Sequence, residues 1–192
     1  MSLKKKIVDS LSLYLCRYKN VQNFFAVKNS EINTDGISPE RSFFDIDNLE
    51  DFDRLCGEYN FTVPDADAKE RFDNGDHFCM TAENGIYGCW GWVATEHKDF
   101  YVLEIDSHSV IPENAAVIYH CFTNPEQRRK GFYYDFLRLV AKNNGREYSI
   151  IYAYDTNTAS KNAIKKAGYR DFGEMSRKTF CGFDEIIRRY GE

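Results

Sequence analysis

The chain has 192 residues, of which 43% are apolar and 16% aromatic, enough to build a hydrophobic core and to exclude wholesale disorder. Its 25 Lys and Arg residues stand against 30 Asp and Glu, a formal net charge of -5, and this mild acidity argues against a dedicated nucleic-acid-binding protein. No apolar run is long enough to cross a membrane as a helix.

The N-terminal segment is predicted to be a helix and not a secretory signal. Its lysines at 4–6 and the apolar residues after them are similar to the start of a signal peptide, but polar residues interrupt the apolar region and no small-residue cleavage site follows. Four residues recur at helical spacing as one apolar stripe: Ile7, Leu11, Tyr14 and Tyr18. The six cysteines form no Cys-x-x-Cys pair, so we expect a soluble protein with free thiols in a reducing cytoplasm.

Residues 29–41 are predicted to be a linker because they are polar and contain Gly36 and Pro39. This linker divides the chain into an N-terminal helical extension at 1–41 and a domain at 42–192. The early elements of the domain are predicted as a strand at 42–46, a helix from Leu49 with Asp47 or Asn48 as its N-cap, and a short helix at 66–72.

From residue 77 the pattern changes to strands, which are followed by alternating helices and strands. Strands are predicted at 77–82, 87–95, 100–105, 115–123 and 148–154, with a hairpin turn at 83–85 and one or two further strands in 169–183. Helices are predicted at 131–142 and 159–167, and Gly168 ends the second. This order indicates an α/β (α+β) fold with a mixed sheet.

Charge is unevenly distributed along the chain. Residues 116–192 hold 14 basic and 9 acidic side chains, whereas residues 1–115 hold 11 basic and 21 acidic ones. Either these charges are ordinary solvated faces, or the second half binds an anion and the first half favours a cationic partner.

The segment that carries the chemistry is 115–133, where a predicted strand runs into a turn that opens a helix. The cations Arg128, Arg129 and Lys130 and then Gly131 stand at the helix start. Cations are disfavoured there, because the free N–H groups and the macrodipole already make that end positive. A bound phosphate would compensate, and a glycine lets it approach the backbone closely. A solvated basic turn explains the same composition, so both interpretations stay open.

Two blocks of sequence resemble a known family. Residues 128–133 (RRKGFY), after a strand that ends in TNPE, resemble the acyl-CoA signature of the GNAT (GCN5-related N-acetyltransferase) superfamily: Arg or Gln, two residues, Gly, one residue, then Gly or Ala. Residues 157–160 (NTAS) and 166–169 (KAGY) resemble the N-x-x-A/S and K-x-G-F helix and strand of that family. The resemblance covers residues 115–170, extends back to about residue 42, and does not include the first forty residues.

The resemblance implies a mixed, mostly antiparallel twisted sheet flanked by helices, with the N-terminal helix as an addition. It also implies acetyl-CoA as acyl donor, no metal, and a pyrophosphate held by the N–H groups of 129–133. Backbone groups of 121–123 would pair with the pantetheine arm like an added strand. The implied cofactor-binding residues are Cys121, Phe122, Thr123, Arg128, Arg129, Lys130, Gly131, Phe132, Tyr133, Asn157 and Ser160.

Two departures from the family pattern bear on mechanism. Tyr133 occupies the position of the last small residue of the signature, so we expect a tighter or displaced phosphate turn. Many members carry a tyrosine seven residues after the Asn157 position, which protonates the departing thiolate, and Ile164 stands there in this chain. The usual acid is therefore missing.

Acyl transfer to an amine needs a base, often acting through water. Alternation along 115–123 places Val117, Tyr119 and Cys121 on one face, which the resemblance directs into the active cleft. The catalytic candidates are Glu104 as leading general base on the predicted 100–105 strand, Asp155 as the next, His120 for its pKa range, and Tyr119 as an acid or water-orienting group. Tyr119 and His120 each also fit an ordinary core or surface role.

Other chemistries lack their motifs, since the chain contains no dinucleotide or P-loop glycine pattern and no zinc-ligand spacing. The sequence thus predicts acetyl transfer from acetyl-CoA to a primary amine of a small molecule. The TNPEQRRKGFY turn resembles members associated with bacterial cell-surface polysaccharide synthesis, which implies an amino sugar; polyamines, antibiotics and protein N-termini stay open. The alternatives are a non-catalytic CoA-binding or protein-interaction module, in which the N-terminal helix serves docking or homodimer formation, and a phosphate-binding domain unrelated to CoA.

Overall fold

The structure is a computed structural model that describes residues 16–63, 68–96, 99–110, 112–180 and 183–190. Its strands are β1 (Cys16–Lys28), β2 (Arg41–Ile46), β3 (Asp76–Glu83), β4 (Ile86–Ala94), β5 (Asp99–Val102), β6 (Ser107–Val110), β7 (Ala115–Thr123), β8 (Tyr148–Tyr154), β9 (Arg170–Phe180) and β10 (Phe183–Tyr190). Its α-helices are α1 (Leu49–Glu58), α2 (Ala68–Asp73), α3 (Phe132–Asn143) and α4 (Thr158–Lys166). None of the helices in these ranges is long and apolar enough to cross a membrane.

Eight strands form one mixed sheet in the order β10-β9-β1-β8-β7-β4-β3-β2. Neighbouring strands are antiparallel except for β7 and β8, which are parallel because α3 connects them as a crossover. Strands β5 and β6 form a separate hairpin. The predicted mixed, mostly antiparallel sheet flanked by helices is confirmed.

Two hydrophobic clusters cover the two faces of the sheet. Helices α3 and α4 pack on one face, called here the α3 face, around Phe25, Ile118, Phe136, Ile151 and Ile164. Helices α1 and α2 and the β5–β6 hairpin pack on the other, called here the hairpin face, where Phe52, Phe78, Trp92, Phe100 and Val117 are buried. The periodicity that predicted these helices thus corresponds to burial against the sheet.

Strand β1 is the main difference from the predicted domain boundaries. It lies in the middle of the sheet, antiparallel to β8 on one side and to β9 on the other. The N-terminal helix was therefore wrong for Tyr18, which lies in this strand, while residues 1–15 lie outside the described part. The sheet also crosses the boundary predicted at residue 41, because β1 precedes that residue and belongs to the same core.

Several local predictions are confirmed, because they depend on neighbouring residues alone. Strands β7 and β8 have the predicted bounds, and the Asn48 side chain caps α1 by accepting from the Asp51 N–H at 2.9 Å. Asn84 and Gly85 adopt positive φ angles of 54° and 73°, which a tight hairpin turn requires. The strand predicted over 100–105 is confirmed only as far as Val102, where β5 ends and a turn follows.

Candidate active site

A cavity opens where the parallel strands β7 and β8 separate. Their pairing runs from Ala115 with Tyr148 to Ile118 with Ile151 and ends there. Beyond that point the strands diverge around a cavity of about 1000 Å³, lined by 118–123 of β7, by 151–154 of β8, by the start of α3 and by one side of α4. The last residues of β7 thus present a backbone edge that no strand occupies in the described part of the chain.

A bulge in β7 shapes this edge. The register between β4 and β7 shifts between Trp90 and Trp92, and His120 on β7 has a φ of 48°. Cys121 consequently packs with the α3-face cluster, while Phe122 stacks on Trp90 of the hairpin-face cluster with ring centroids 5.5 Å apart. The predicted alternation was therefore wrong beyond residue 119: Cys121 does not share the face of Tyr119.

The turn before α3 leaves the start of the helix without a side-chain cap. Asn124 caps the short helix at Pro125–Gln127 and donates to the Tyr87 carbonyl at 3.0 Å, which ties the turn to β4. Gly131 is the N-cap of α3 with a φ of 83° and offers no side-chain acceptor. Helical hydrogen bonding starts with the Asp135 N–H, which donates to the Gly131 carbonyl at 2.9 Å. The N–H groups of the first turn are therefore available to an anion.

A buried ion cluster holds the first turn of α3 in place. The Arg41 side chain, 6% exposed, binds the Asp135 carboxylate and lies 3.1 Å from Glu83 and 3.8 Å above the Phe132 ring. Burial raises the pKa of Asp135, although the guanidinium groups of Arg41 and Arg138 lower it. On its other side the Phe132 ring fills the space above Gly88, where a Cβ atom would lie 1.8 Å from the ring.

The residues of the second sequence block lie on the far side of the cavity. Asn157 is the N-cap of α4, and its side chain accepts from the Ser160 N–H at 3.1 Å. The helix face that lines the cavity carries Ala159, Ser160, Ala163 and Lys166. Ile164 is fully buried in the α3-face cluster, so the side chain at that position does not reach the cavity.

Tyr133 extends into the cavity from α3. Its hydroxyl lies 3.1 Å from the Ser160 hydroxyl, so the two helices meet across the cavity. Burial raises the pKa of Tyr133 well above its ordinary value. The phenol therefore stays neutral, with a proton, where the family signature has a small residue.

Glu104 reaches the cavity from the turn between β5 and β6, not from a strand. Asn20 of β1 donates to its main-chain carbonyl and holds the turn. One carboxylate oxygen of Glu104, Oε2, is buried and has no hydrogen-bond partner within the described residues. Asp106, two residues further along the turn, lies 2.7 Å from Arg177 of β9.

Tyr119 and His120 line the cavity with their polar atoms engaged. The Tyr119 hydroxyl donates to Asp76 at 2.5 Å, and burial together with the Asp76 charge raises the pKa of Tyr119 far above its ordinary value. Arg71 of α2 donates to His120 Nδ1 at 3.0 Å. A cation that donates to this nitrogen holds the imidazole in the tautomer with its proton on Nε2. His120 Nδ1 is therefore occupied by this hydrogen bond and is not available as a base.

Two predicted residues lie outside the cavity lining. Asp155 is exposed and pairs with Lys161 at 3.1 Å. Lys130 is exposed and donates to Gln127 at 2.9 Å. The remaining implied cofactor-binding residues and the other three catalytic candidates line the cavity.

Gln22 and Tyr152 are among the cavity residues that sequence reasoning missed. Gln22 lies in β1, a strand that was not predicted, and its only sequence signal is a polar residue beside an apolar run. Tyr152 follows the last residue of β8 that pairs with β7, and burial and the charge of Glu104 raise its pKa well above the ordinary value. Cys121, also in the lining, has a thiol pKa raised well above its ordinary value by burial, so it is not an activated nucleophile.

Comparison with known proteins finds likeness at the level of structure. No family model and no curated protein matches the sequence. A functionally unknown conserved protein from Staphylococcus epidermidis has a TM-score of 0.58 and 10% identity, covering 100% of this chain and 69% of that one.

Two other solved structures carry a family name. A protein assigned to the GNAT acetyltransferase family from Novosphingobium aromaticivorans has a TM-score of 0.52 and 14% identity, covering 85% of this chain and 65% of that one. A GCN5-related N-acetyltransferase from Kribbella flavida has a TM-score of 0.52 and 9% identity, covering 99% and 64%. The chain thus spans less than two thirds of the length of these two proteins. These likenesses show that the chain has a GNAT-like fold.

Proposed function

We propose that the protein transfers an acetyl group from acetyl-CoA to a primary amine of a small molecule. The observation that carries this proposal is the opening between β7 and β8, which joins an uncapped helix start to a cavity of about 1000 Å³. An amino sugar is the acceptor that the sequence resemblance suggests.

The residues at the helix start suit a diphosphate. Free N–H groups at the first turn of α3 favour an anion, and Arg128 and Arg129 line the same end of the cavity. The vacant backbone edge of 121–123 suits the amides of a pantetheine arm, which would pair with it as a strand does. Acetyl-CoA would supply the acetyl group as a thioester.

Glu104 is the residue that we assign to the proton transfer. In the reaction the amine nitrogen bonds to the thioester carbonyl carbon, the carbon–sulfur bond breaks, and the amine loses one proton while the thiolate gains one. The Glu104 carboxylate accepts the amine proton, directly or through a water, because its Oε2 is otherwise unpartnered in the cavity. A thiolate leaves readily, so a dedicated acid is not required.

A thermal melt with and without acetyl-CoA tests the donor site. A ligand at a hundred times its dissociation constant adds about 2.7 kcal/mol, which raises the melting temperature of a protein of this size by roughly 5–10 °C. The control is Gly131→Trp, which fills the cavity entrance at a backbone position with positive φ. A shift in the parent protein and none in the control supports the proposal, and no shift in either removes it.

Tyr133 favours a second candidate function, a non-catalytic CoA-binding or interaction module. Its side chain crosses the cavity to Ser160 at the position where the signature has a small residue. Tyr133→Ala opens this space. If acetyl-CoA binds the variant and not the parent, the parent cavity is closed to the donor, and a non-catalytic interaction module is the better description.

A further inference from the structure

The acceptor end of the cavity contains two buried polar atoms without partners. Among the buried side-chain atoms that lack a hydrogen bond in the described residues, only Gln22 Nε2 and Glu104 Oε2 belong to residues that line the cavity. Gln22 is 1% exposed, so bulk water does not reach its amide. Buried amides in native proteins are normally hydrogen-bonded, and one without a partner points to a ligand.

The two atoms belong to one corner of the cavity on the hairpin face. Gln22 pairs across the sheet with Tyr154, and the charge of Glu104 contributes to raising the pKa of Tyr154 after burial. Asn20, two residues before Gln22 on β1, donates to the main-chain carbonyl of Glu104. A carboxylate that accepts and an amide nitrogen that donates are thus presented together.

We propose that Gln22 is a specificity residue that donates a hydrogen bond to an oxygen atom of the acceptor, while Glu104 receives its amine. The acceptor is then an oxygen-bearing amine, such as an amino alcohol or amino sugar, and not a hydrocarbon amine. This inference rests on the proposed acetyltransferase function, which assigns the amine to Glu104. A site built to hydrogen-bond an oxygen rejects an analogue without it, because the amide would stay buried and unpaired.

The test compares three amines of the same ring: cyclohexylamine, trans-2-aminocyclohexanol and trans-4-aminocyclohexanol. Initial rates of acetyl transfer give kcat/KM for each, and saturation-transfer NMR on the same samples gives binding without turnover. The parent protein prefers at least one aminocyclohexanol over cyclohexylamine by about tenfold or more. Gln22→Met, which keeps the length of the side chain and removes its donor, abolishes this preference.

Asn23→Leu is the matched control. Asn23 is the next residue of β1, its Nδ2 is also buried without a partner, and it does not line the cavity. Its variant keeps the preference. If Gln22→Met does not fold, Gln22→Leu replaces it, since it also removes the donor and lowers the preference.

The outcomes separate the inference from the proposed function. A parent without preference, or a preference that survives in the Gln22 variants, overturns the inference even when acetyl transfer occurs. Preferential binding of the aminocyclohexanol without any acetyl transfer supports the role of Gln22 and removes the proposed activity. Neither binding nor transfer overturns both.

Discussion

The two faces of the sheet contribute to the cavity in different ways. On the α3 face the polar groups are backbone N–H groups of one contiguous stretch, 129–133, which the Arg41 cluster holds in place. On the hairpin face they are side chains from separate elements, Gln22, Glu104 and Tyr152. Backbone groups recognise a phosphate whatever side chains surround them, whereas a single substitution changes a side-chain site. Under the proposed function, this difference implies a generic donor site and a choice of acceptor that depends on the hairpin face.

The largest expected effect concerns chemistry on the hairpin face. Glu104→Gln lowers kcat by about 10²- to 10⁴-fold, because the general base is lost. The acetyl-CoA-dependent melting shift stays unchanged, since the donor groups lie on the α3 face. Steady-state rates and thermal melts measure the two quantities on one sample.

Asp106→Asn is the control for this prediction. Asp106 lies near Glu104 in the chain and binds Arg177 outside the cavity lining, so its variant keeps the parent rate. An equal loss of acetyl-CoA binding and rate in Glu104→Gln would contradict the separation of the two faces.

The support of the donor site is tested by Arg41→Met. Removing one partner of a buried ion cluster leaves Asp135 and Glu83 with less compensation, and we expect a loss of about 3–5 kcal/mol in the free energy of unfolding. Urea unfolding measures it. Arg54→Met removes an ion pair whose arginine is 72% exposed and costs less than about 0.5 kcal/mol. Equal losses would mean that Arg41 is not a structural centre of the α3 face.

A smaller loss is expected from Gly88→Ala. The new methyl group meets the Phe132 ring, so the first turn of α3 moves, the protein loses about 1–3 kcal/mol, and the acetyl-CoA shift decreases. Gly57→Ala is the matched control, because open space surrounds this helical glycine and alanine gains up to about 1 kcal/mol there. Unfolding curves measure the stability of both variants, and thermal melts measure their acetyl-CoA shifts. An unchanged acetyl-CoA shift in Gly88→Ala would show that this packing does not position the start of α3.

The smallest effect lies away from the cavity, at His77 and Asp45. The hydrogen bond that His77 donates to Asp45 raises the pKa of His77, burial opposes this, and nearby carboxylates add to it. A histidine whose pKa is raised by folding stabilises the folded state fully when the pH is below its unfolded pKa of about 6.5. This stabilisation is lost as the pH rises through the folded pKa. The side chains are 36% and 34% exposed, so the contribution is only a few tenths of a kcal/mol.

Unfolding free energies at about pH 5.5 and 8.5 for the parent and His77→Gln measure this contribution. From the lower to the higher pH, the free energy of unfolding falls slightly more in the parent than in His77→Gln. The substitution leaves the affinity for acetyl-CoA unchanged. A response of acetyl-CoA binding to His77→Gln would mean that the α3 face is coupled from end to end.

The sequence predicts what contiguous residues encode. The bounds of β7 and β8, the Asn48 cap and the Asn84–Gly85 turn all follow from local patterns, and these patterns agree with the structure. The implied cofactor-binding residues lie in two short blocks of sequence, 121–133 and 157–160, and most of them line one cavity.

The rest depends on residues that are distant in the chain. Strand β1 has the composition of many buried segments, and its place follows only from pairing with β8 and β9. The bulge at His120 needs a positive φ, which the neighbouring strands impose rather than the residue itself. Gln22 and Glu104 line the same cavity because the β5–β6 hairpin packs on the sheet beside β1, and no local sequence spacing predicts that packing.

The central position of β1 has a consequence for synthesis of the chain. Strands β2, β3 and β4 pair in sequence order, so this half of the sheet can form as soon as it leaves the ribosome. Strand β1 is made earlier and has no partner on either edge until residues 148–180 emerge. Through most of translation this segment, with its apolar residues Phe24, Phe25 and Val27, therefore has no strand to pair with. In the nascent chain this segment is the natural target for a chaperone and the first source of aggregation.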